Sequence, residues 1–168
     1  MKRYLVGMII PFLLASGMAH ATGTNIDIKG RLIANSCTID TGTVEKEITL
    51  PSVQAHDLSE ADTGGDWVNF TLDVTKCPAY LNTVTVKFSG TPDTDDSTTY
   101  KNLGNADNVA LQLATNDVNY GNGSTMKVNV DQTNHSAKFP LSARIYSPKG
   151  GATRGTFNSV ISVDFTWQ

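Results

Sequence analysis

The sequence predicts an all-β protein, an antiparallel β-sandwich of the immunoglobulin-like type. Apolar and polar residues alternate along most of the chain, which is the two-residue period of half-buried strands. After the first 21 residues the chain is rich in Thr, Asn, Ser and Gly, a composition that favours strands and turns over helices. Seven or so short strands in the remaining chain of about 147 residues match the strand spacing of such a sandwich.

The predicted strands are separated by polar segments with many turn residues. In chain order the strands are Val44–Leu50, Trp67–Val74, Val84–Phe88, Val109–Leu113, Met126–Val130, Ala137–Tyr146 and Phe157–Trp167. Pro140 interrupts the sixth of them, and we expect loops over 90–108 and 116–123 and a turn at Gly150–Gly151. We find no second domain, internal repeat or low-complexity tract, so the sequence indicates one domain.

The first 21 residues have the organisation of a secretory signal peptide. Lys2 and Arg3 precede an apolar stretch over 4–15, and Ala19–Ala21 forms a small-residue cleavage site. A membrane anchor is the alternative, but the stretch is short for a bilayer and contains Pro11. Cleavage after Ala21 removes two basic residues and no acidic one, so the net charge falls from -3 to -5.

Charge and cysteine content exclude several functional classes. A mildly acidic chain does not suit a protein that binds nucleic acid by neutralising phosphates. Two cysteines are too few for a four-thiolate metal site, and their spacing is not that of a C-x-x-C redox motif. In the oxidising compartment that a signal peptide implies, we expect a Cys37–Cys77 disulfide, with two free thiols as the alternative.

Few residues suit catalysis or metal binding, and we predict no catalytic residue, metal or cofactor. Only His56 and His135 remain after cleavage, so few histidines are left for a Ser-His-Asp triad or a metal-binding imidazole cluster. Asp93, Asp95 and Asp96 lack the spacing and the final glutamate of an EF-hand. A second acidic group fits a solvated loop better than a cation site; it consists of His56, Asp57, Glu60 and Asp62.

The two ends of the exported chain carry the most informative pattern. Residues 22–33 alternate, with one face formed by Thr24, Ile26, Ile28, Gly30 and Leu32 and a polar or charged face between them. The last predicted strand is strongly apolar and stops at Gln168, which would leave an open apolar edge of the kind that proteins normally cover. The first segment is either a strand of its own sandwich or a strand offered to another copy, a known mode of recognition.

The chain resembles the chaperone–usher pilins, and among them the minor, tip-adaptor-like subunits of type 1-like fimbriae. The marks are the alternating extension with Gly30, Cys37–Thr38, Asn69–Pro78 with the second cysteine, Phe88–Gly90, Tyr100–Gly104, Ala137–Leu141, Gly151–Gly155 and a penultimate aromatic residue at Trp167. The family usually has tyrosine in that penultimate place, so Trp167 is a departure. The position within a fibre depends on the sequences of the neighbours.

The resemblance implies an incomplete immunoglobulin-like sandwich that lacks its last strand and is completed by a donor strand. It implies a signal peptide over 1–21, a donor-strand extension over 22–35 and a pilin domain over 36–168. The implied donor residues are Thr24, Ile26, Ile28, Gly30 and Leu32. The implied acceptor groove and chaperone-binding residues are Gly155, Phe157, Ile161, Val163, Phe165, Trp167 and Gln168.

The same resemblance implies the partners and the location. The partners would be a periplasmic chaperone, an outer-membrane usher and neighbouring pilins in a head-to-tail fibre at the cell surface, and the function would be that of a structural subunit of an adhesive fimbria. The alternative function is a secreted single-domain sugar-binding sandwich, and an enzyme is a more distant third.

Overall fold

Ten strands and one short 3-10 helix make up the regular structure of residues 36–168, which are the residues that this computed structural model describes. The strands are β1 (Thr38–Ile39), β2 (Thr63–Gly64), β3 (Val68–Thr75), β4 (Thr83–Gly90), β5 (Tyr100–Lys101), β6 (Ala110–Thr115), β7 (Val118–Asn119), β8 (Thr125–Asn129), β9 (Ala137–Ser147) and β10 (Ile161–Trp167). The 3-10 helix covers Ala55–Leu58. The predicted signal peptide (1–21) and extension (22–35), with all five predicted donor residues, lie outside the described residues.

The strands form two antiparallel sheets. The larger sheet has the order β1-β3-β9-β6-β5, with β2 also paired to β9 and β7 to β6, and the smaller sheet has the order β10-β4-β8. An immunoglobulin constant-type sandwich has strands A, B, E and D in one sheet and C, F and G in the other. In these terms β1, β3, β9 and β6 are A, B, E and D, while β4 and β10 are C and F. The predicted all-β, immunoglobulin-like fold is confirmed.

The core lies between the two sheets and follows the alternation of the sequence. Val84, Val86 and Phe88 on β4 are fully buried and face Leu72 and Val74 on β3. Side chains at every second position of a strand point to the same face, so the predicted apolar faces become the two inner faces of the sandwich.

The predicted disulfide is present. Cys37 and Cys77 are bonded, and both are almost completely buried. Cys37 directly precedes β1 and Cys77 lies just beyond β3, and Thr38 is the register partner of Thr75. Antiparallel pairing of two short segments therefore brings the sulfur atoms together.

Pro140 does not interrupt β9, which runs through it as a continuous strand of eleven residues. The Pro140 carbonyl accepts a hydrogen bond from the Thr115 hydroxyl on the side of β6. In antiparallel strands the nitrogen and the carbonyl of one residue point to the same side. Since the β6–β9 ladder ends at Ser142, the missing N–H of Pro140 would have no ladder partner there.

Two local predictions are wrong. Val44–Leu50 is not a strand, because Asp40 folds the chain back: its carbonyl accepts from the N–H groups of Thr43 and Val44, and its side chain accepts from Gly42. The predicted loop over 116–123 contains β7, which makes a hairpin with the end of β6.

The hairpin depends on residues that tolerate a left-handed backbone. Asn116 and Asp117 have φ angles of 47° and 64°, which suits a two-residue hairpin turn.

No helix within residues 36–168 has the length and apolar character of a membrane span.

Candidate functional site

Strand β10 forms one edge of the smaller sheet and presents a half-buried apolar face. It pairs with β4 over its whole length, from Ile161 opposite Gly90 to Trp167 opposite Val84, and within residues 36–168 its other edge has no strand partner. Four side chains pack partly buried against the core at every second position, while those between them are exposed. These four are Ile161, Val163, Phe165 and Trp167, which the structure brings to one face as predicted.

Aromatic rings form the middle of this face. The rings of Phe165 and Trp167 are stacked, with centroids 6.2 Å apart and an interplanar angle of 4°. Phe165 also meets Phe139 of the larger sheet edge-on, with centroids 5.6 Å apart. Trp167 thus extends an aromatic surface that joins the two sheets below the open edge.

The end of the chain is fixed to β4 by its backbone. The N–H of Gln168 donates to the carbonyl of Thr83, and a backbone oxygen of Gln168 accepts from Asn82 and Thr83, all at 2.9 Å. Gln168 itself is exposed, so the end of the predicted acceptor edge is held in place and reaches solvent.

The start of the predicted acceptor edge differs from the sequence expectation. The strand begins at Ile161, four residues after the predicted start, and Gly155 and Phe157 lie in an irregular segment before it. A cavity of about 250 Å³ adjoins this segment. Its apolar lining includes Val53, Ala55, Leu58, Val109, Ile145 and Phe157.

Asn102 holds this irregular segment and was not singled out by sequence reasoning. Its side chain is 8% exposed and makes four hydrogen bonds, two within its own loop and two to the segment. The signal was present, because Asn102 lies in Tyr100–Gly104 and its partners follow Gly151–Gly155. Both stretches carry the family resemblance, and Gly155 is the one residue in them with a predicted role, in the acceptor groove.

The two acidic groups that were considered as cation sites lie away from β10, and their carboxylates contact groups of the protein itself. Asp95 contacts Lys149 at 2.8 Å, and the Asp93 and Asp96 carboxylates accept from backbone N–H groups two residues along the chain. His56 contacts Asp57 at 2.8 Å. Across residues 36–168, no group of three or more His, Cys, Asp or Glu side chains is arranged to hold a metal ion.

The outer face of the larger sheet carries a polar network away from β10. The Arg144 guanidinium lies over the rings of Trp67 and Tyr146, at 4.4 and 5.4 Å from their centroids, and its Nε donates to Gln112 at 2.7 Å. Burial lowers the pKa of Arg144. Burial, followed by the hydrogen bond to the Asp62 carboxylate, raises the pKa of Tyr146 to about 12.

Comparison with known proteins assigns these features to a family. The family model described as "Fimbrial protein" matches residues 26–168. FimG of Escherichia coli K12 is 36% identical over 167 residues, covering 99% of this chain and 96% of the relative. The fimbrial-like protein YdeR of the same strain is 33% identical over 168 residues, covering 99% and 97%.

A solved structure shows the same fold. The P pilus rod subunit PapA superposes with a TM-score of 0.69 at 17% identity, over 80% of this chain and 100% of that one.

Proposed function

The chain belongs to the fimbrial protein family and is a structural subunit of a bacterial cell-surface fimbria, and we propose that β10 accepts a donor strand from a neighbouring subunit. The observation that carries the proposal is the unpartnered, half-buried edge of β10 within residues 36–168. A complete immunoglobulin-type sheet has strand G beside strand F. The donor strand takes that position.

Residues 22–35 are the donor segment that this chain offers to another subunit. Strand G runs antiparallel to strand F in a complete sandwich, so a donor strand runs antiparallel to β10. The end of the extension marked by Leu32 then lies beside the start of the acceptor's β10, and the end marked by Thr24 lies beside the residue equivalent to Trp167.

The lengths of donor and acceptor agree. The eight residue steps from Thr24 to Leu32 span about 27 Å, and the six steps from Ile161 to Trp167 span about 20 Å. The donor therefore covers the whole strand and reaches past its start. In an acceptor built like this chain, Leu32 arrives near Phe157 and the cavity that it lines.

The interaction is strong enough to build a fibre. Burial of Ile26, Ile28 and Leu32 contributes about 1.5–3 kcal/mol each. Main-chain hydrogen bonds along the strand add about 1 kcal/mol each. Since donor and acceptor are different surfaces of one molecule, the contact is head-to-tail and extends into an open filament.

Before assembly the same edge needs a temporary partner. An exposed apolar strand edge templates aggregation, so a periplasmic chaperone covers β10 until the usher delivers the subunit to the fibre. The fixed, solvent-accessible end at Gln168 suits recognition by basic residues of the chaperone. Every step in this cycle is binding, and the protein acts without catalysis.

A charge placed on the inner face of the extension tests the proposal. Ile28→Asp puts a carboxylate into the acceptor groove, and we expect it to abolish incorporation into fimbriae while the subunit still purifies with its chaperone. Asn25→Asp adds the same charge to the outer face of the same strand and should leave incorporation intact. Normal incorporation of Ile28→Asp would refute the donor assignment.

A deletion separates the sugar-binding alternative. Removal of residues 22–35 abolishes assembly if the extension is a donor strand. Intact binding of a glycan by the shortened protein, with no effect on fibre assembly, would instead favour a secreted binding module.

A further inference from the structure

We propose that Asn102 is a positioning residue for the acceptor groove, which it keeps open at the start of β10 for the last apolar residue of an incoming donor strand. The inference rests on the proposed donor-strand function and adds a determinant of how fast the groove is filled. We use "Asn102 clamp" for residues 102–106 together with 156–158.

Asn102 joins the two sheets of the sandwich. It directly follows β5, which belongs to the larger sheet, and two of its partners lie just before β10 of the smaller sheet. Its Oδ1 accepts from the N–H of Asn158 at 2.9 Å, and its Nδ2 donates to the carbonyl of Thr156 at 3.2 Å.

The other two hydrogen bonds fix the Asn102 loop itself. Oδ1 also accepts from the N–H of Gly104 at 2.9 Å, and Nδ2 also donates to the carbonyl of Ala106 at 2.8 Å. An asparagine amide offers two donor hydrogens and two acceptor lone pairs. All four are used, so only an amide in this orientation satisfies the surrounding backbone groups.

A second set of hydrogen bonds, between Thr156 and Asn105, also holds the clamp, and the two segments leave no space between them for a side chain at Gly104 or Gly155. Thr156 donates its hydroxyl to Asn105 Oδ1 at 2.9 Å and accepts from the Asn105 N–H at 3.2 Å. A Cβ on Gly104 would lie 2.1 Å from the Thr156 carbonyl oxygen, and one on Gly155 would lie 2.5 Å from the Ala106 nitrogen. The two segments are therefore in direct backbone contact, and they cannot slide without breaking the clamp.

The clamp sets the shape of the cavity. Ala106, Thr153, Gly155 and Phe157 line one wall, and the 3-10 helix supplies Ala55 and Leu58. With the clamp intact, the wall is in position before a donor arrives. Without it, the segment before β10 must be ordered during binding, which slows and weakens association.

The test is an exchange assay on the mature chain purified with its co-expressed chaperone. The probe is a fluorescent peptide with the sequence of residues 22–35, and a second peptide carries Leu32→Ala. We expect Asn102→Ala to slow exchange of the first peptide about tenfold, the effect of losing about 1.4 kcal/mol of preorganisation. The same variant should change exchange of the Leu32→Ala peptide by less than about twofold, because that peptide places little in the cavity.

Two further variants keep the outcome interpretable. Gln132→Ala removes the hydrogen bond that the Gln132 side-chain amide donates to the Leu81 carbonyl near the opposite end of β10, and it should slow the exchange of neither peptide. Thr156→Val keeps the volume of an exposed side chain and removes only the two hydrogen bonds of its hydroxyl to Asn105, so it serves as the test if Asn102→Ala yields no folded complex. Thr156→Val should slow the exchange of the first peptide and leave that of the Leu32→Ala peptide nearly unchanged.

The results separate this inference from the proposed function. If Asn102→Ala and Thr156→Val slow the exchange of both peptides equally, or slow neither, the positioning role of Asn102 is overturned. Exchange by the unchanged chain would still uphold the donor-strand function in that case. Failure of the unchanged chain to exchange any pilin extension peptide, its own and those of candidate neighbouring subunits included, overturns the donor-strand function itself.

Discussion

Phe165 on the open edge strand and Phe139 in the centre of the larger sheet meet edge-on, with ring centroids 5.6 Å apart. Phe139 is fully buried, whereas Phe165 is partly buried on the open edge strand, where we propose that a donor strand binds. Edge-to-face aromatic pairs add about 0.5–1.5 kcal/mol beyond the burial of their area. The contact therefore links the stability of the subunit to the shape of the proposed acceptor groove.

Removal of the Phe165 ring should affect both properties. We expect Phe165→Ala to lower the free energy of unfolding of the peptide-filled protein by about 2–4 kcal/mol, around the lower end of the range for phenylalanine truncation. Denaturant unfolding followed by circular dichroism measures it. The exposed neighbour Thr166→Ala should stay within about 0.5 kcal/mol of the unchanged protein, and equal effects would contradict the role of the ring.

Filling the proposed acceptor groove should stabilise the subunit by an amount that rises with the logarithm of the donor-peptide concentration. A ligand that binds only the folded state at about 100 times its Kd adds about 2.7 kcal/mol. We expect a chain lacking residues 22–35 to be aggregation-prone or marginally stable alone, and to gain this stability from a peptide of residues 22–35, as measured by thermal unfolding. A cooperative, stable monomer of the shortened chain without peptide would contradict the open edge.

The two buried tyrosines should respond in opposite ways to loss of their hydroxyls. The Tyr146 hydroxyl donates to Asp62 at 2.6 Å, whereas that of Tyr100 is buried without a hydrogen-bond partner in residues 36–168. Tyr146→Phe should therefore cost about 1–3 kcal/mol, and Tyr100→Phe should be neutral or stabilising. Denaturant midpoints of the two variants decide the comparison.

The same tyrosines make stability fall at alkaline pH. Burial raises the pKa of Tyr100 to about 12, and the pKa of Tyr146 is also about 12. Above the ordinary value of 10.0 the unfolded chain loses these protons first, so the folded state binds more protons and stability falls as pH rises from about 10 towards 12. In each Phe variant this slope should be smaller, and an unchanged slope in both would contradict the assignment.

The disulfide should contribute a large share of the stability. It closes a loop between residues separated by 40 positions, for which chain entropy gives about 4 kcal/mol. We expect the Cys37→Ala, Cys77→Ala double variant to lose about this amount in denaturant unfolding. Reduction of the unchanged protein should give a similar loss, and a loss under about 1 kcal/mol would show that the bond closes a loop that is already ordered in the unfolded chain.

Alternation predicted most strands because it reports the core directly. Val84, Val86 and Phe88 are buried at the positions where the sequence places them. Strand pairing was harder to predict than strand position. Val44–Leu50 has the composition of a strand, but the hydrogen bonds to Asp40 turn the chain away from the sheet. Pro140 can lie inside β9 only because the β6–β9 ladder ends before it.

The apolar face of β10 follows from the sequence, whereas the hydrogen bonds of Asn102 that hold the segment before it do not. Ile161 to Trp167 can be read from the period of the strand. The position of Asn102 within Tyr100–Gly104 can be read from the sequence, but its role cannot, because the two partners that tie it to the segment before β10 are backbone groups more than fifty positions away. Backbone groups leave no trace in residue type.

The position of the disulfide has a mechanical consequence. Strand β1 has only two residues and few hydrogen bonds, so it would peel under load. A force applied to the domain at Ser36 reaches the Cys37–Cys77 disulfide one residue later, and the disulfide transmits it covalently to the end of β3. If residues 22–35 are the proposed donor segment, tension along a fibre would pass into β3 of the larger sheet and bypass the two-residue β1–β3 ladder.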